Sequence, residues 1–167
     1  ITPKVRSEFY KCTPLAPLHN PHNLAAIDAL KHITPKLPQF ASFDTSFQST
    51  NADVATHYAL PRIMEANGIC RYGLHGLSFA SAVTLLPKIS SEKLPSWLLA
   101  FYLGNGASLC AIHNGQSVST TMGCSPLDGL TMGTRSGGID ANAVLRLVED
   151  NGLDSAKAIL NHESGLL

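Results

Sequence analysis

From Trp97 to Thr121 the chain reads WLLAFYLGNGASLCAIHNGQSVSTT. An apolar run of strand length ends at Leu103 and meets Gly104-Asn105-Gly106-Ala107-Ser108. A second apolar run, Leu109 to Ile112, leads to Asn114-Gly115 and then to alternating polar residues. Asn-Gly readily takes the positive φ angles of a two-residue hairpin turn. The stretch therefore predicts strand, glycine turn, strand, hairpin turn and strand. A strand that stops at a glycine-rich turn exposes backbone N–H groups with no bulky side chain over them, which suits a phosphate.

The 167 residues suit one domain or part of a larger protein. Lysine plus arginine balances aspartate plus glutamate at 12 each, so no basic stripe points to nucleic acid or a membrane surface. The longest clean apolar run, Trp97 to Leu103, is too short to span a bilayer, and no signal-peptide pattern is present. Charged residues make up 14% of the chain, against about a quarter in an ordinary domain. Either much of the surface is buried against protein outside this chain, or the domain is simply a neutral one. Cys12, Cys70, Cys110 and Cys124 show no metal-ligand spacing, so they read as free cytosolic thiols, and no metal-ligating residue is assigned.

Prolines at 3, 14, 17 and 21 predict extended or turn structure over residues 1–22, with short strand pieces near Val5 to Tyr10. Asn23 is placed to cap a helix to about Lys31. Gln39 to Phe43 reads as a buried strand with Asp44 at its end. Asn51 starts a helix to about Ala59, which Pro61 interrupts or restarts, and Gly68 stops the segment. Arg71 to Leu74 reads as a strand. Leu77 to Leu86 reads as a helix stopped at Pro87. Met122 to Gly138, with five glycines, is mostly loop. Asp140 caps a helix to about Asp150 with Val144, Leu147 and Val148 inward; Gly152 separates it from another at Asp154 to Asn161. Mixed strands and helices give an α/β class.

Three polar residues stand out. Asp44, after a strand and between Phe43 and Phe47, reads either as a cap or as a partly desolvated carboxylate suited to orienting a substrate or handling a proton. His75 sits beside glycines, a context in which a histidine is more often packed or solvent-facing than catalytic. Arg135 is bracketed by Gly133 and Gly137-Gly138. Glycines allow close approach of a ligand, and a planar guanidinium can hold two oxygens of a phosphoryl group.

In order along the chain, the segments LAPLHNP (15–21), FDTSF (43–47), RYGLHG (71–76), YLGNGAS (102–108) and MGTRSG (132–137) resemble the motifs of the acetate kinase family of short-chain acyl kinases. The resemblance implies a duplicated ribonuclease-H-like fold of the actin/sugar-kinase/Hsp70 type. Residues 1–45 would close the N-terminal lobe and 46–167 would open the C-terminal lobe. It further implies reversible phosphoryl transfer from ATP to acetate, giving acetyl phosphate and ADP, with Mg2+. Asp44, His75 and Arg135 would be catalytic. Tyr102, Leu103, Gly104, Asn105 and Gly106 would bind nucleotide phosphates. Leu18, His19, Leu74 and Pro126 would line the acyl pocket, though the apolar Leu18, Leu74 and Pro126 read equally as ordinary core.

The sequence departs from the family pattern at Gln48, Phe79 and Tyr102, where the family has histidine, and at Gly138, where it has an acid. The alternatives are therefore a propionate or butyrate kinase, or a non-catalytic nucleotide-binding relative. Family members are more than twice as long. The expectation is a middle fragment, inactive alone, whose parent is a cytoplasmic enzyme. Its partners would be acetate or acetyl phosphate, ATP, the rest of the polypeptide and a second copy in a homodimer.

Overall fold

The structure, a computed structural model, describes residues 1–16 and 19–167. It falls into two compact units, Ile1–Phe43 and Asp44–Leu167.

The first unit is helical. α1 (Pro3–Lys11) replaces the strand pieces expected near Val5. Pro3 occupies the first turn, where its missing N–H costs nothing, and the Thr2 side chain accepts from the Val5 N–H. The prolines thus mark helix starts. α2 (Asn20–Ile33) begins earlier than expected, again with proline, Pro21, in its first turn. Arg6 pairs with Asp28 across the two helices. Gln39 to Phe43 forms no strand. Phe40 is almost wholly exposed, and among the described residues no other strand lies in this unit to satisfy its backbone. Phe43 instead meets Phe9 edge to face, with ring centroids 5.4 Å apart.

The second unit is built on the sheet read from the sequence. β1 (Trp97–Leu103), β2 (Ala107–His113) and β3 (Gln116–Thr120) form an antiparallel meander in the order β1-β2-β3. Asn114 and Gly115 make the turn with φ of 50° and 80°. α5 (Gly76–Ser90) packs against the sheet, burying Phe79 with Cys110 and Ile112 against Phe47, Val83, Leu98 and Ala100. Pro87 lies inside α5 rather than ending it. It removes one bond near the C-terminal end, and the helix stops only where Ser91 turns left-handed at φ 60°.

Before α5 the chain forms two short helices, α3 (Asp53–Thr56), which ends before Ala59, and α4 (Arg62–Ala66), which restarts after Pro61. Arg71 to Leu74 is not a strand. The N–H groups of Tyr72 and Gly73 both donate to the Gly123 carbonyl, so no ladder can propagate. Arg71 fastens this segment further, donating to Asp128 and to the Thr121 carbonyl at 3.2 Å each. After the loop, α6 (Ala141–Asn151) is capped by Asp140, whose Oδ1 accepts from Asn142 and Ala143. Gly152, at φ 79°, links it to α7 (Leu153–His162). Among the described residues no helix is long and apolar enough to cross a membrane.

Candidate active site

The groups predicted for chemistry from the second unit converge where the sheet's glycine turn meets the start of α5. His75 is the residue before α5 and is left-handed, at φ 59° and ψ 21°. Asp44 holds that conformation. Its Oδ2 accepts from the His75 N–H at 2.6 Å, its Oδ1 from Leu77 at 3.3 Å, and its carbonyl from Gly76 at 2.8 Å. Gly76 is required there, because a Cβ would stand 2.3 Å from the Asp44 carbonyl oxygen.

The imidazole of His75 is fixed as well. Its Nδ1 lies 2.8 Å from Ser108 Oγ, and its ring stacks on Tyr102 with centroids 3.8 Å apart.

Opposite stands Arg135, only 8% exposed. Its Nη1 donates to the Pro126 carbonyl at 3.1 Å and approaches Met132 Sδ at 3.7 Å. Among the described residues no carboxylate pairs with it. A buried guanidinium without an acidic partner is costly unless an anion joins it.

The glycine turn lies between the two. Gly104 N–H donates to the Gly106 carbonyl at 3.0 Å. A Cβ placed on Gly106 would lie 3.4 Å from both Arg135 Nη1 and His75 Nε2, so the backbone there faces both groups at once. Asn105 reaches across the loop; a Cβ on Gly133 would be 2.8 Å from its Oδ1. Leu103 contributes only backbone, since its side chain stands on the exposed face of β1.

Of the residues expected to line the acyl pocket, Pro126 and Leu74 lie in the second unit. Pro126 borders the site through its bond from Arg135. Leu74 packs half-buried against Ala107, Met122 and Met132. Leu18 lies outside the described residues. His19, exposed, precedes α2 in the first unit and is not among the groups the second unit gathers. Among the described residues no group of three or more His, Cys, Asp or Glu side chains is placed to hold a metal ion.

The sequence assigns no role to Ser108, which the structure places against His75. Its signal is a hydroxyl at the head of the inward series Ser108, Cys110, Ile112 on an otherwise apolar strand. Gln48, where the family has histidine, is buried; its Nε2 donates to the Leu74 carbonyl at 3.0 Å, supporting the loop before His75.

A family model described as the acetokinase family matches residues 1–167. An acetate kinase of Deinococcus radiodurans is 44% identical over 171 residues, covering 100% of this chain and 43% of that protein. A propionate kinase of an Enterobacter species is also 44% identical over 171 residues, covering 100% of this chain and 42% of that protein. The crystal structure of a propionate kinase from Francisella tularensis superposes with a TM-score of 0.90 at 36% identity, over 99% of this chain and 44% of that one. The fold is that of acetate and propionate kinases, of the actin/sugar-kinase/Hsp70 type. The chain spans less than half the length of these relatives. Matched along its whole length, it belongs to the acetokinase family.

Proposed function

We propose that the complete protein bearing this chain is an acetate kinase, moving a phosphoryl group reversibly between ATP and acetate. The observation that carries the reading is the acid-free, buried Arg135 aimed, with His75 Nε2, at the backbone of Gly106. Phosphoryl transfer spreads negative charge over three equatorial oxygens, and the protein's work is to position and neutralise that charge. Arg135 supplies a fixed cation with Nη1 already oriented by Pro126. His75 supplies a ring nitrogen beside it. The turn 102–106, with Asn105, receives nucleotide phosphates through backbone N–H groups. Asp44 acts by holding the His75 loop, which is an orienting role.

ATP fits the site in one respect: the turn is glycine where a side chain would occupy the space that Arg135 and His75 face. Mg2+, implied by the family, finds no ligand cluster among the described residues, and no step is assigned to it. The lobes remain as the sequence implies: residues 1–45 closing the first and 46–167 opening the second, in a cytoplasmic homodimer.

The test is acetyl phosphate formation by the complete protein over a series of acetate, propionate and butyrate. Highest kcat/KM for acetate supports the reading. A preference for propionate, the acid named in two of the three relatives above, would reassign the substrate. ATP binding without transfer to any acid would sink it. The 167-residue chain alone should show no turnover.

A further inference from the structure

We propose that Tyr58 is a positioning residue for Arg135: its hydroxyl joins the two sides of the loop around Pro126, whose carbonyl orients the guanidinium. The effect on rate rests on the kinase reading above; the joint and the orientation of the arginine do not.

Arg135 Nη1 takes its direction from the Pro126 carbonyl at 3.1 Å. Proline has no N–H, so Pro126 offers no donor to fix its own place, and the residues on either side must do so. The Leu127 N–H stays within the loop, on Ser125 Oγ. The fastening comes instead from Tyr58, which stands in the irregular stretch between α3 and α4. Its Oη accepts from the Cys124 N–H at 2.8 Å and donates to Asp128 Oδ2 at 3.3 Å. One oxygen thus spans the loop from Cys124, before Pro126, to Asp128, after it. An amide N–H only donates and a carboxylate only accepts, so the sense of both bonds is fixed. Burial raises the Tyr58 hydroxyl above its usual 10.0, so the donor proton is present at neutral pH.

Arg71 backs this joint. Its guanidinium lies 5.1 Å over the Tyr58 ring and donates to the same Asp128 oxygen and to the Thr121 carbonyl, at 3.2 Å each. A Cβ on Gly123 would stand 2.1 Å from both Tyr58 Oη and Asp128 Oδ2, so the loop backbone lies directly against the pair. Without the hydroxyl the Cys124 N–H loses its partner, and Arg71 alone ties Asp128 to the segment before α5. The Pro126 carbonyl is then free to shift, and Nη1 with it. Phosphoryl transfer draws on a cation placed before the charge develops, so the loss falls on the chemical step rather than on binding.

The test uses the complete protein with 15N-labelled arginine. The Arg135 guanidinium signal is assigned by its absence from Arg135→Ala. It should be single and sharp in the wild type and broadened or doubled in Tyr58→Phe, which keeps the ring under Arg71. In that variant kcat should fall about tenfold while the KM for ATP changes less than about twofold. In an Arg135→Ala background Tyr58→Phe should cause no further fall. Asp128→Ala cuts the other arm of the joint; it should disturb the same signal, and it decides the matter if Tyr58→Phe does not fold. An undisturbed Arg135 signal in either variant, or a Tyr58→Phe loss that persists without Arg135, overturns the proposal. A protein that moves no phosphoryl group yet shows the disturbed signal loses the kinase reading and keeps the positioning role. A working kinase with an undisturbed signal does the reverse.

Discussion

Asp44 and His75 are joined through the main chain: the carboxylate of one accepts from the backbone N–H of the other at 2.6 Å, while the imidazole turns away to Ser108. The acid therefore governs where the imidazole stands. Asp44→Ala removes both caps at the start of α5 and should cost about 1–2 kcal/mol of stability. Activity should fall further than that loss explains, since the His75 loop is released. Asp44→Asn retains one acceptor oxygen and should recover most of the stability. Denaturation midpoints and kcat for the pair of variants check this.

Arg135→Ala should lower kcat by roughly 10³-fold in the complete protein. Arg135→Lys keeps a cation but loses the planar fork and should restore only part of the rate. An unchanged kcat in either variant would contradict the proposed charge-neutralising role.

Two glycines make a contrast between binding and folding. At Gly106 a methyl meets only Arg135 and His75 at ordinary distance, so Gly106→Ala should change stability by less than about 0.5 kcal/mol. It should nevertheless weaken nucleotide binding, measured calorimetrically, because the methyl occupies the space the two groups face. Gly73 is at φ 70°, and a Cβ there would be 2.7 Å from Gln48 Cγ and Thr120 Cγ2. Gly73→Ala should destabilise by about 1–3 kcal/mol.

Phe79, where the family has histidine, is 2% exposed and packed on Cys110 and Ile112. Phe79→Ala should cost about 3–5 kcal/mol, visible as a lower Tm. Phe79→His should also destabilise, because the ring nitrogens would enter an apolar cluster.

Alkaline pH should weaken the fold. Burial raises the thiols of Cys110 and Cys124 above their usual 9.0 and the Tyr58 hydroxyl above 10.0. Folded pKa values above the unfolded ones mean stability that is full below about pH 9 and is lost as pH rises through the folded values. Chemical denaturation at pH 7, 9 and 10.5 should show midpoints falling over the upper interval. Cys110 should also alkylate far more slowly than exposed Cys12.

The three strands, their two turns and the helix capped by Asp140 were readable because each is dictated locally, by alternation, Asn-Gly and a capping carboxylate. The misreadings arose at prolines and at short apolar runs. Pro3 and Pro21 sit in first turns and Pro87 near a last one, positions that sequence alone does not separate from helix breaking. Gln39–Phe43 and Arg71–Leu74 have strand composition, yet pairing is decided by what lies beside them. Within the site, glycine spacing pointed to Arg135 and the turn. Ser108 escaped because its importance comes from a residue 33 positions away, brought near only by the packing of α5 on the sheet.

The left-handed backbone at position 75 has a practical consequence for mutagenesis. Alanine there removes the ring and also imposes a torsional penalty on a residue with no side-chain compensation, so any defect would mix chemistry with geometry. Asparagine tolerates that region of φ/ψ space and cannot form an imidazolium. It is the replacement that separates what the ring does from what the main chain demands, and the difference between glycine and alanine at the same place would report the torsional part.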